Sequence, residues 1–223
     1  TFDHYIDLIY NTSFMHNVWN SFVIAAITTI ICLAIGILGS YAMTRLKYPG
    51  RSFFRNSIII SYLMPTAVLF VPMYVFVSSL GFYDNKYALL IIYPTFVVPY
   101  CCYMLISYFK AIPYALEEAA LIDGCNRLQT LWYIIMPIAL PGIAVVATFA
   151  FTMAWNEYLY AMIMTTSNVQ KTATVAISGF KYADSAIWGR IMSASVVCSL
   201  PVTLLYIVAQ SMLISGKYEG SVK

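Results

Sequence analysis

Charge is what this sequence has least of. Charged residues make up 9% of the chain and hydrophobic ones 61%, where a soluble domain carries roughly 25% charged residues. That deficit excludes a soluble globular domain of this size. A formal charge of +3 is too small to suggest a nucleic-acid partner. Catalytic and metal-binding patterns are missing too. There is no G-x-x-x-x-G-K-[ST] phosphate loop and no H-E-x-x-H, so the chain is not expected to hydrolyse ATP itself or to bind a cofactor of its own. The two histidines, His4 and His16, stand in no ligand spacing, and no Ser/His/Asp set is apparent. Cys32, Cys101, Cys102, Cys125 and Cys198 show no zinc-ligand spacing. Four of them lie in apolar runs, where cysteine behaves as a small hydrophobe, so neither a disulfide framework nor a metal site is read here.

What is present is a series of long apolar stretches. They cover about 18–43, 56–80, 87–109, 138–165 and 187–214. Each can cross a hydrocarbon core of about 30 Å as a helix, and helices satisfy every backbone polar group within the segment. The expected fold is an all-α membrane protein with five transmembrane helices in a domain over 18–214. An outer segment, 1–17, precedes it, and a tail, 215–223, follows. Lys and Arg orient it. Arg45, Lys47, Arg51, Arg55, Lys110, Arg127, Lys217 and Lys223 fall on one side, and Lys86, Lys171, Lys181 and Arg190 on the other. The positive-inside rule then places the N-terminus outside and the C-terminus in the cytoplasm. The chain starts at Thr1 with no initiator Met and no signal peptide. The expectation is a parent protein of six spans, the first of which is missing here.

The most telling stretch is the polar interruption 110–137 on the cytoplasmic side, which holds three of the nine acidic residues: Glu117, Glu118 and Asp123. Pro113 suits a first helical turn, the two glutamates suit a helix N-terminus, and Gly124 suits the C′ position after a helix. A second helical run, 126–135, is expected to stop before Pro137. The reading is a short helix-turn-helix on the cytoplasmic face.

The run Glu118-Ala119-Ala120, three residues, Gly124, nine residues, Ile134, one residue, Met136-Pro137 resembles the EAA loop of ABC-importer permease subunits, with Met136 in place of the usual Leu. Tyr41–Arg51 (YAMTRLKYPGR), Trp155–Tyr158 (WNEY) and the ending GKYEGSVK are similar to the carbohydrate-type branch, that of the maltose and oligosaccharide permeases. Ser221 stands there in place of Ala. The resemblance implies a subunit forming half of an alternating-access pathway for a sugar or oligosaccharide in a bacterial cell membrane. It implies a cytoplasmic ATPase dimer that binds ATP and Mg, a second homologous permease subunit and an extracytoplasmic solute-binding protein. Glu117, Glu118, Ala119, Ala120, Asp123 and Gly124 would form the coupling helix, its carboxylates facing basic groups of the ATPase, and movement there would act on the fourth and fifth helices. The outward loop 167–186 would meet the binding protein, and the tail would reach the ATPase dimer. A permease for another small solute would share the loop. An autonomous ion-coupled carrier is the alternative, but such carriers show internal repeats and several intramembrane charges, and this chain shows no evident repeat and one acidic residue within a span.

That charge is Glu157. With Trp155 and Asn156 it offers a carboxylate, a stacking face and an amide, all suited to a sugar. A structural role, capping a loop or bonding a neighbouring helix, is the competing reading. Pro65 and Pro72, seven apart and so expected on one face of the second span, and Pro94 and Pro99 in the third, can kink helices along a path. Gly36 and Ser40 have small-xxx-small spacing, which points to a helix contact.

Overall fold

A computed structural model of the chain describes residues 2–182, 185–186 and 188–219. It is built of α1 (Asp3–Tyr10), α2 (Phe14–Arg45), α3 (Arg51–Leu63), α4 (Phe70–Ser79), α5 (Leu89–Ile92), α6 (Pro94–Ala111), α7 (Tyr114–Ile122), α8 (Arg127–Thr130), α9 (Met136–Trp155), α10 (Leu159–Met164), α11 (Ala173–Ser178) and α12 (Trp188–Glu219). A 3₁₀ turn, Thr66–Leu69, leads into α4, and another, Lys86–Ala88, into α5. A π-helical turn, Leu131–Ile135, joins α8 to α9. A two-residue antiparallel pair, β1 (Lys181–Tyr182) and β2 (Ser185–Ala186), is the one sheet among the described residues.

Among the described residues, three helical runs are long and apolar enough to cross a membrane: Phe14–Arg45, Arg127–Trp155 and Trp188–Ser211. Five result if two bent pairs, Arg51–Leu63 with Thr66–Ser79 and Lys86–Ile92 with Pro94–Ala111, each count as one span. The bends correct several sequence expectations. Pro65 and Pro72 do not share one face of a continuous helix. Met64 is extended (φ −72°, ψ 129°) and so is Pro65 (φ −60°, ψ 122°), because a proline ring disfavours helical backbone in the residue before it. Pro72 sits in the first turn of α4, where its missing N–H costs little. Pro94 opens α6, while Pro99 lies inside it without ending it. The run after Asn126 does not stop before Pro137: α8, the π turn and α9 are continuous. A proline within a helix removes one ladder bond, and the wider π turn just ahead of Pro137 is a common accommodation of such a defect.

The chain divides into two compact units. The first comprises 1–29, 65–95 and 151–205, and the second 30–64, 96–150 and 206–223. In the first, Leu8, Phe14, Ala173 and Ala194 form a core. Asp7 of α1 pairs with Arg190 of α12, Arg190 Nη2 lying 3.0 Å from Asp7 Oδ1. Buried Asn17 and Asn20 of α2 clamp the 168–171 loop. Asn17 donates to the carbonyls of Asn168 and Lys171, and Asn20 to those of Val169 and Lys171, at 2.8–3.0 Å.

In the second unit α2 lies close against α6. A Cβ on Gly36 would stand 2.9 Å from Cys101 Cβ, and Ser40 Oγ donates to the Cys102 carbonyl at 3.2 Å. Gly36 and Ser40 thus do form a helix contact. Met43, Cys102 and Ile106 complete the core there, with Ile58 and Val98 packed on it. Arg51, next in chain after the left-handed Gly50 (φ 83°), turns back onto α2. It donates to the carbonyls of Met43 and Thr44, both at 2.6 Å, in the last turn of α2, where carbonyls have no partner further along the helix.

Candidate functional site

The 110–137 loop lies wholly in the second unit. Pro113 is extended (ψ 136°) and starts α7. The helix ends in a paired closure: Gly124 N donates to the Leu121 carbonyl at 3.2 Å and Cys125 N to that of Ala120 at 3.0 Å. This is the Schellman arrangement, which needs a left-handed residue at C′, and Gly124 has φ 91°. The chain then restarts on a capping box. Asn126 Oδ1 accepts from Gln129 N at 2.9 Å, and Gln129 Oε1 from Asn126 N at 2.8 Å. Two short helices about one tight turn are therefore fixed by local sequence.

The six loop residues singled out from sequence divide between two faces. Glu118, Ala119, Asp123 and Gly124 are exposed. Glu117 and Ala120 are buried. The expectation that Glu117 faces a partner is corrected. Its carboxylate lies 2.8 Å from Arg45 Nε, both side chains 1% exposed, and Arg127 stands at 4.0 Å. Burial raises the Glu117 pKa above the ordinary carboxylate value, against the pull of Arg45 and Arg127. Helical rotation of about 100° per residue separates Glu117 from Glu118, and the cation on α2 decides which one turns in.

Sequence reasoning missed three kinds of residue here. From sequence Arg45 reads only as a topogenic charge. Tyr41 and Tyr114 carry no sequence signal of a role, yet Tyr114 Oη donates to the Thr44 carbonyl at 2.7 Å and Tyr41 Oη to that of Arg127 at 3.4 Å. Leu116, Ile122 and Leu128 are exposed apolar knobs on this polar loop, Ile122 at 85%. Of these, Ile122 stands four residues after Glu118 and so on its face of α7, a spacing legible in the sequence. Beside the loop, Lys47, Tyr48, Tyr114, Glu118 and Arg127 help line a cavity of about 570 Å³.

Trp155, Asn156 and Glu157 lie in the first unit, at the interruption between α9 and α10. Trp155 is buried, stacks on Phe151 and donates its indole N–H to the Cys198 carbonyl at 3.2 Å. Asn156 is exposed. Glu157 accepts from Tyr160 N (3.0 Å), Ala161 N (3.1 Å) and Tyr93 Oη (3.1 Å). Tyr160 Oη in turn donates to the Thr66 carbonyl at 2.9 Å. One carboxylate thus holds the start of α10 and is linked to the two breaks that follow Met64 and Ile92. Of the proposed trio, Asn156 alone has its side chain free of such packing. His16 Nε2 meets the Val169 carbonyl at 3.1 Å, and no group of three metal-ligating side chains occurs among the described residues.

The model of the family described as binding-protein-dependent transport system inner membrane component matches residues 33–215. The inner membrane ABC transporter permease protein YcjP of Escherichia coli is 37% identical to this chain, over the whole chain and 80% of the relative. The trehalose transport system permease protein SugB of Mycobacterium tuberculosis is 31% identical, over the whole chain and 82% of the relative. Among solved structures, a bacterial ABC transporter involved in the import of the acidic polysaccharide alginate superposes with a TM-score of 0.78 at 22% identity, over 94% of this chain and 79% of that one. A permease subunit of this kind is a multi-pass inner-membrane protein and not the ATPase. With the helical fold, the loop spacing and these likenesses together, the chain belongs to the binding-protein-dependent transport system inner membrane component family, the permease subunits of ABC importers.

Proposed function

We propose that this permease subunit serves a sugar or oligosaccharide importer and takes its driving force through the 110–137 loop. The observation that carries the coupling reading is the exposed face of α7 and the Gly124 turn. Glu118, Ala119, Ile122 and Asp123 stand outward on a helix whose other face is fixed to its own subunit. A small, rigid, two-helix projection of mixed apolar and acidic character suits a groove on a cytoplasmic ATPase dimer, which would hold ATP and Mg. The positive-inside count puts this loop and the C-terminus in the cytoplasm, and α1 with the 168–171 loop outside. That outer loop, fixed by Asn17 and Asn20, is then the surface offered to a solute-binding protein. Of the C-terminal tail, 215–219 continues α12, while residues 220–223, like Asp184 of the outer loop, lie outside the described residues.

The cargo reading rests on the trehalose system of the relative SugB and on the carbohydrate-type flanking motifs. A second permease subunit fits α12, whose most apolar window is only 11% buried within this chain. Membership of the importer family sets aside the autonomous carrier. Glu157 is assigned as a structural support of the pathway wall, and Asn156 is the member of the trio free to meet cargo.

The test is gentle purification of the tagged protein from its host, with its companions identified by mass spectrometry. Recovery of an ATPase, a second permease and a binding protein is expected. Gly124→Arg or Glu118→Lys should lose the ATPase while the spans stay folded. An ATPase still bound, with full uptake in both variants, would refute the docking surface.

A further inference from the structure

We infer that Arg45 and Glu117 are positioning residues that make the coupling helix move as one body with the cytoplasmic ends of the first and third spans. The inference rests on the coupling reading above and adds the route by which force leaves the loop. That route begins at α2 and α6, where the sequence had suggested the fourth and fifth helices.

Arg45 is the last residue of α2, and its guanidinium joins that helix to two others at once. Nε meets Glu117 of α7 at 2.8 Å. Nη2 donates to the carbonyls of Phe109 and Ile112, the latter at 2.6 Å, in the last turn of α6 and just beyond it, where helix carbonyls need partners from outside the helix. The guanidinium carbon also lies 4.2 Å from the centre of the Tyr114 ring. The electrostatics agree at each end. A cation sits at the negative C-termini of α2 and α6, and a carboxylate in the first turn of α7, at its positive end. Two further bonds tie the same elements: Tyr114 Oη to the Thr44 carbonyl, and Tyr41 Oη to that of Arg127 beyond the turn. Both arms of the loop are therefore fastened to α2.

Stability alone does not call for an ion pair here. A buried pair is often replaceable by apolar side chains of similar volume without loss. Its distinguishing property is direction. A guanidinium donates in a fixed planar fork, so tilting α7 against α2 or α6 pulls on the Glu117 ion pair and the Tyr114 ring contact together, whereas apolar contacts would let the helices slide. Arg127, half exposed at 4.0 Å, is too remote and too solvated to replace that fork.

The experiment uses the whole complex in lipid nanodiscs and reads the stimulation of its ATP hydrolysis by the binding protein purified from the same host. Three variants are compared: Arg45→Lys, Glu117→Gln, and the apolar double variant Arg45→Met with Glu117→Leu. All three are expected to retain the ATPase on purification, while the stimulation falls by about tenfold, the scale of an ordinary coupling between two sites. Wild-type stimulation in the double variant would show that packing suffices and would overturn the inference. So would loss of the ATPase in all three, since the pair would then be structural support for assembly. Gly124→Arg separates the two levels. If it too is stimulated like wild type, the docking surface itself fails; if it is silent while the Arg45 and Glu117 variants respond fully, the latch alone fails.

Discussion

Two glycines on one face of α2 should respond to the same substitution with opposite signs. At Gly36 an added Cβ meets Cys101 Cβ at 2.9 Å and Leu105 Cδ1 at 3.4 Å. The first neighbour is attached to backbone and cannot rotate away, so α2 and α6 must part by several tenths of an ångström. Overpacking of this kind costs about 1–3 kcal/mol, set against about 1 kcal/mol gained when Ala replaces Gly within a helix. Separation also stretches the Ser40–Cys102 bond, already 3.2 Å. At Gly39 the added Cβ finds Cys102 Sγ at 3.7 Å and Met43 Cε at 3.8 Å, ordinary contacts that leave the propensity gain nearly whole. Gly36→Ala should therefore lower the midpoint of thermal unfolding of the purified complex, and Gly39→Ala should raise it or leave it level. The difference between the two should be about 1–3 kcal/mol. Fluorescence-detected melting of both variants beside wild type measures it. Equal midpoints, or Gly36→Ala as the more stable of the two, would refute the claim that α2 and α6 meet at backbone distance through Gly36.

Glu157→Gln keeps one acceptor oxygen where the carboxylate has two, and turns a donor towards Tyr160 N or, with the amide flipped, towards Ala161 N and Tyr93 Oη. It should cost about 0.5–2 kcal/mol, the scale of a lost helix cap. Tyr93→Phe should be milder, and an Asn156→Ala variant that melts like wild type but takes up its cargo differently would separate support from contact. Asp7 is pulled from 3.8 to about 2 by its bonds to Arg190 and Asn11. Its folded value is below its unfolded value, so the pair's contribution is complete above about pH 4 and disappears as pH falls through about 2. Melting midpoints of wild type should drop across that window, and those of Asp7→Asn should lack that part of the drop. Parallel curves would show that the pair does not hold α1 to α12.

The sequence made the spans legible because apolar length is a property of composition, and the turn at Gly124 legible because its signals are local. Pro113, Gly124 and the Asn126–Gln129 box each act within a few residues of themselves. What it hid depends on partners far along the chain. Nothing near Glu117 says that it, and not Glu118, turns inward, since the deciding charge is Arg45 at the end of another helix. Likewise the fourth apolar stretch reads as one span through Thr165. It is interrupted after Trp155 where Glu157 caps a new helix, bonded to Tyr93 beside one break and, through Tyr160, tied to Thr66 beside another. Proline marked those other two breaks but could not rank them. Pro65 ends a helix because Met64 before it is extended, whereas Pro99 and Pro141 stay inside theirs. A membrane helix can keep an interior proline when neighbours re-satisfy the freed carbonyl, and that supply of neighbours is tertiary. The same reasoning explains the arginines. A topology rule counts Arg45 and Arg51 as charges that stay in the cytoplasm, yet both close the C-termini of spanning helices, and one of them also holds the loop through which the ATPase would pull.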